Sequence, residues 1–116
     1  MDLSVERRSE SSVSVVSVSG EVDVHSAPRL REGVSAELAS DATAVVVDLS
    51  EVGFLDSTGL GALVSARTTA GERGVLMPVV CTSERIRKLF TITGLDGVFD
   101  LHTSLDEALA SVPDRA

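Results

Sequence analysis

The sequence predicts a single α/β domain, spanning 1–116 with its core over about 2–112, built on a mixed β-sheet with about four α-helices. Three observations lead there. The N-terminal stretch carries two strand-like segments in succession, the pairing expected of a hairpin. After it, short apolar runs alternate with segments whose apolar residues recur at helical spacing, the pattern of parallel crossovers. Finally, 116 residues at 43% hydrophobic content suffice for one buried core and leave no room for a second domain.

In the first segment, Leu3 and Val5 alternate with polar residues. "RRSESS", residues 7–12, reads as the hairpin turn, so the first two strands are expected to pair antiparallel. "SVSVVSVSG", residues 12–20, alternates Ser and Val except at Val15–Val16, where the phase slips by one; the expectation is a strand with a bulge at that step. "HSAPRLREGVSAELAS" supplies Ser26 as candidate cap, Pro28 in the first turn, where its missing N–H costs little, and Leu30, Val34 and Leu38 on one stripe, which together predict a first helix.

"TAVVVDLS", residues 43–50, is a nearly unbroken apolar run, as expected of a central strand covered on both faces. Val45, Val46, Val47 and Leu49 are therefore expected to be buried. The next helix is read from "GLGALVSARTTAGERG", with Leu60, Leu63, Val64 and Arg67 on one face and Gly61, Ala62, Ser65 and Thr69 on a small, neutral opposite face. "VLMPVVC" follows as a strand in which Pro78, unable to donate to a ladder, argues for an edge or a bulge. "TSERIRKLFTITGL" gives a helix capped by Thr82 or Ser83, with Ile86, Leu89 and Phe90 inward and Gly94 as its left-handed stop; "VFDLHTSLDEALASV" closes the chain with a short strand and a capped helix.

The net charge of -8 repels phosphate backbones, and three phenylalanines without Tyr or Trp offer little for bases to stack on, which argues against direct nucleic-acid binding. Cys81 is the sole cysteine, so no intramolecular disulfide can form, and it reads as a small buried hydrophobe. With only two histidines besides, no metal site and no cofactor is expected. "MDLSVERRSE" lacks the apolar stretch of a signal peptide, and no apolar run approaches the roughly 18 residues of a membrane span. The expected setting is the cytoplasm, without membrane insertion.

"FLDSTGLG", residues 54–61, stands at a strand-to-helix joint, at the end of the parallel strands where function collects in such sheets. Three readings of Ser57 stay open. Either Asp56 or Ser57 could cap the helix. A nucleophile would need a base, but the flanks are not a G-x-S-x-G elbow and no spacing rule brings His25 or His102 to it. His25 is expected in an exposed loop and His102 near a strand end. In the third reading Ser57 is phosphorylated: a helix N-terminus accepts the charge locally, and with Asp56 adjacent and Asp23 able to lie in the neighbouring loop, the phosphate enlarges an acidic patch that a docked partner would feel.

"SGEVDVHSAPRLRE", then "VVVDLSEVGFLDSTGLGALV", then "SERIRKLFTITGLDGVF" together resemble the STAS-domain anti-sigma factor antagonists of bacteria, over essentially the whole chain. The resemblance implies a STAS-like fold. It further implies that Ser57 is the phosphorylated serine, that Thr58 is the hydroxyl residue after it, and that Asp56 and Asp23 line the same surface. Partners implied by the resemblance are a serine-kinase anti-sigma factor, bound when Ser57 is unmodified and released on phosphorylation, and a PP2C-type phosphatase that resets the switch. The small residues Gly61, Ala62 and Ser65 would let such a partner approach closely, and no enzymatic activity is expected. STAS domains also serve as non-switching binding modules, such as stress-signalling scaffolds or lipid-transport accessory subunits; the intact D-S-T-G favours switching over these.

Overall fold

Valine-rich runs that favour extended backbone, interrupted by segments of helical periodicity, fold into five strands and four α-helices in a computed structural model that describes residues 1–8 and 12–113. Strand β1 (Asp2–Arg7) pairs antiparallel with β2 (Val13–Val22), so the two-strand start expected from the sequence is present. Half of the expected turn, residues 9–11, lies outside the described residues. Helix α1 (Ala27–Leu38) leads to β3 (Ala44–Leu55), α2 (Ser57–Arg73) to β4 (Val79–Val80), and α3 (Glu84–Ile92) with a 3-10 turn at Leu95–Gly97 to β5 (Leu101–His102). Helix α4 (Leu105–Ala110) follows.

The sheet order is β1-β2-β3-β4-β5, with β2 through β5 mutually parallel. Each crossover adds its strand on the same side of the previous one, and crossovers keep one hand, so α1, α2 and α3 share one face of the sheet. There Leu30, Val34, Leu38, Leu60, Leu63, Ile86 and Phe90 meet Val16, Val18, Val45, Val47 and Leu49 in the main core. Phe90 and Phe99 add an edge-to-face aromatic pair with centroids 5.3 Å apart. On the other face α4 covers a smaller cluster of Val13, Val15, Ala44, Val46 and Val80. Central β3 is thus buried on both sides, as its unbroken apolar run required.

Two strand expectations need correction. The doubled Val15–Val16 is no bulge: both β1 and β3 pair with it in regular register, and the irregularities fall later, between Ser17 and Ser19 and between Gly20 and Glu21. Adjacent valines are both buried because they point to opposite faces, Val15 into the α4 cluster and Val16 into the main core. Nor is β4 an edge. It lies between β3 and β5, and Pro78 acts by shortening it. Leu76 N–H donates to Thr43 O at 3.1 Å, so two residues on an N–H at position 78 would face β3 again; proline has none, which leaves an isolated bridge at Leu76 and a strand of Val79–Val80 alone.

Ser14 is fully buried and its polarity is met by a network legible only in three dimensions. Arg7 Nε donates to Ser14 Oγ at 2.9 Å, which in turn donates to Glu37 Oε1 at 2.7 Å, joining β1 and β2 to the last turn of α1.

Candidate functional site

Strands β2 and β3 end side by side, with Val22 in register with Leu55, and the Asp56 N–H donates to Val22 O at 3.2 Å. Asp23 and Asp56 are the next residues of each chain segment, so the two acids leave neighbouring strand ends. Asp56 takes extended backbone (φ -100°, ψ -175°) and its Oδ1 accepts from Gly59 N at 3.0 Å, which makes it the N-cap of α2. Of the two candidates for that role, Asp56 has it. Ser57 is the first helical residue, exposed, and among the described residues its hydroxyl makes no hydrogen bond. It therefore stands in the positive field of a 17-residue helix without serving the backbone.

Gly59 explains how α2 can seat so low on the strand ends. A Cβ at that position would lie 2.5 Å from Leu55 Cδ1 and 2.8 Å from Val22 Cγ1, inside any van der Waals contact. Gly59→Ala is therefore expected to destabilise the fold by about 1–3 kcal/mol through overpacking, read as a lowered urea midpoint. An unchanged midpoint would mean that α2 does not sit on these side chains.

The Asp23 carboxylate accepts from His25 N at 3.0 Å and Ser26 N at 3.1 Å, ordering the loop between β2 and α1. These bonds, the Ser26 amide first, hold its carboxyl below the usual carboxylate range against the opposing effect of desolvation. Ser26 occupies the N-cap position of α1 as expected, but its hydroxyl does not cap. It accepts from Asp23 N at 2.9 Å and donates to Glu21 O at 3.0 Å, pointing back to the strand end because Asp23 holds the loop closed.

Along α2, Thr58, Gly61 and Ser65 are exposed on the same side as Ser57. Ala62 is not: it is 4% exposed and belongs to the inward face with Gly59, Leu60, Leu63, Ala66 and Ala70. The expected small outer face is corrected accordingly, with Thr69 and Arg67 both half-buried at its margins. A helix advancing about 100° per residue brings 59, 62/63, 66 and 70 onto one stripe, and small side chains there let α2 approach α1 and the sheet closely.

His25 is exposed in the β2–α1 loop, and His102 lies on β5, two strands away from β3, so among the described residues neither imidazole is hydrogen-bonded to Ser57. Cys81 is fully buried, and burial pushes its thiol up to about 12, with Arg87 lowering and Asp48 raising it slightly. An inert thiol of this kind matches the small hydrophobe read from sequence. Among the described residues no group of three or more His, Cys, Asp or Glu side chains is disposed to hold a metal ion, and no helix is long and apolar enough to cross a membrane.

A mixed sheet with three helices on one face, and with a D-S-T-G turn seated where two parallel strands end, defines a STAS-type α/β domain. The family model for the STAS domain matches residues 4–108, and the chain belongs to that family. It is 37% identical over 100 residues to the anti-sigma-F factor antagonist of Mycobacterium tuberculosis, covering 86% of this chain and 81% of that one. To the anti-sigma-B factor antagonist of Bacillus subtilis it is 35% identical over 101 residues, covering 87% and 92%. A crystal structure of an anti-sigma factor antagonist from Mycobacterium paratuberculosis superposes with a TM-score of 0.87 at 40% identity, covering 97% of this chain and 94% of that one.

Proposed function

We propose that this chain is a cytoplasmic anti-sigma factor antagonist that works by partner switching. Unmodified, it docks a serine-kinase anti-sigma factor through the surface around Ser57 and thereby frees a sigma factor. Phosphorylation of Ser57 by that kinase releases the complex, and a PP2C-type phosphatase restores it. Asp23, Asp56, Thr58, Gly61 and Ser65 form the docking surface, and Ala62 supports it from beneath. The observation that carries the reading is the Ser57 hydroxyl, exposed at the start of α2 while Asp56 does the capping. A residue with no structural duty at that point can be modified without loss of the fold.

The charge argument runs in the same direction. A phosphate brings roughly -1.5 to -2 charges to a chain whose net charge is already -8. The helix terminus compensates it locally, whereas a partner that recognises Asp23 and Asp56 meets an altered field. Names borne by relatives at 35–37% identity support the same class of partner.

Affinity capture with the unmodified chain from its native extract, with intact-mass analysis of the bait, tests the proposal. It is expected to recover an ATPase-fold kinase and, after ATP is added, a bait heavier by one phosphate. Recovery of transport subunits alone, with no phosphate on the bait, would overturn it. Asp23→Ala is expected to weaken the kinase complex and to speed hydrogen exchange in residues 23–27 only, leaving the global unfolding midpoint in place; unchanged affinity removes Asp23 from the surface.

A further inference from the structure

His102 sits at the far edge of the sheet with its side chain 10% exposed, held between two carboxylates. Its Nδ1 is 3.0 Å from Glu107 Oε1 of α4, and its Nε2 is 3.0 Å from Asp100 Oδ2, just before β5. The first is a hydrogen bond. The second is not aligned as one, and among the described residues Nε2 is otherwise buried without a partner, so the Asp100 contact is electrostatic. A neutral imidazole carries a single N–H, so either tautomer would leave an unprotonated ring nitrogen only 3.0 Å from a carboxylate oxygen. Only the imidazolium suits both neighbours.

Helix α4 is too short to hold itself. It has six residues, far fewer than the roughly 12–15 at which a helix begins to stand alone. It is nonetheless the lid of the second core: Ala108, flanked by Leu105 and Leu109, and Val112 just beyond the helix end pack on Val13, Val15, Ala44, Val46 and Val80. Glu107 lies in its first turn, where its N–H donates to the capping Ser104 Oγ at 3.1 Å. The residue that touches His102 is thus the one whose amide the helix cap holds.

We propose that His102 is a proton-operated latch: charged, its ring bridges Asp100 and Glu107 and holds α4 firmly over the second core; neutral, it keeps at most the Glu107 hydrogen bond and holds that helix more loosely. Among the described residues, the groups that face the ring are few. From the segment leading into β5 comes Asp100, and from α4 comes Glu107, with exposed Asp106 one residue before it. Strand β4 brings Val79 and Val80 and then Cys81, whose N–H donates to His102 O at 2.9 Å and whose thiol burial keeps protonated. Burial of the ring by itself disfavours the charge, but the two carboxylates outweigh it, and the net effect lifts His102 above its ordinary 6.5. A folded-state value above the unfolded one means that the stabilisation is complete below 6.5 and is lost as pH rises through the folded value.

The test is a 15N imidazole titration of the full chain, with the His102 resonance assigned by its loss in His102→Gln, combined with amide exchange of residues 105–112 at about pH 6 and about pH 8.5. After correction for intrinsic rates, wild type is expected to lose about three-fold or more protection in α4 at the higher pH, whereas His102→Gln shows no such step. Glu107→Gln, an exposed change that keeps the Ser104 cap, is expected to lower the ring's titration midpoint. A wild-type midpoint at or below the ordinary histidine value overturns the latch, as does a loss of α4 protection equal in wild type and His102→Gln.

Discussion

Leu63→Ala lowers the stability of the domain by about 2–5 kcal/mol, the cost of removing a large aliphatic side chain from a core that cannot fully close over the cavity. Leu63 is fully buried where α2 meets the sheet. For a domain near this size, each kcal/mol moves the thermal midpoint by roughly 4–8 °C, so a drop of about 10 °C or more is expected. Ser65→Ala, two residues on and exposed, is the control, with a change within about 0.5 kcal/mol. Urea unfolding of both variants decides the matter: a Leu63→Ala midpoint equal to that of Ser65→Ala would mean that the inward face of α2 is wrongly assigned.

Ser57→Asp weakens binding of the kinase partner by about ten- to a hundred-fold, the size expected when a like charge is set against a complementary surface. Ser57→Ala keeps the wild-type affinity and cannot be switched off. The mimic carries one charge and two oxygens where a phosphate carries more of both, so it is a partial switch. Because Asp56 caps α2, Ser57→Ala alters stability by less than about 0.5 kcal/mol, whereas Asp56→Ala costs about 1 kcal/mol. This contrast separates binding from folding. Titration calorimetry against the kinase with ADP, giving one affinity for wild type, Ser57→Ala and Ser57→Asp, would sink the charge switch.

The candidate functional segment was legible in the sequence for a local reason. "FLDSTGLG" joins an apolar strand to a helix, and both the need for a cap at this joint and the helix start follow from chain neighbours. The choice between Asp56 and Ser57 as the cap did not follow, because either side chain could reach the same amides. Backbone dihedrals decided it: Asp56 is extended with its carboxylate on Gly59 N, and Ser57 is already helical.

By itself the sequence determined the order and type of the elements, the central place of β3, the inward stripes of α1 and α3, and the D-S-T-G turn at the strand-to-helix joint. All of these rest on periodicity, capping and hydrophobicity, which act over a few residues. Tertiary structure alone decided what depends on which surface arrives from elsewhere in the chain. Val15 and Val16 are both buried only because α4 covers the second face of the sheet. Ala62 turns inward because α2 lies close on its neighbours, and Ser26 abandons its helix because the Asp23 loop folds back on it. Pro78 shortens an interior strand instead of marking an edge, since β5 pairs beyond it. The same holds for His102: five residues separate it from Glu107 in the chain, but whether its ring lies between two carboxylates is set by how α4 returns across β5, and no local pattern encodes that return.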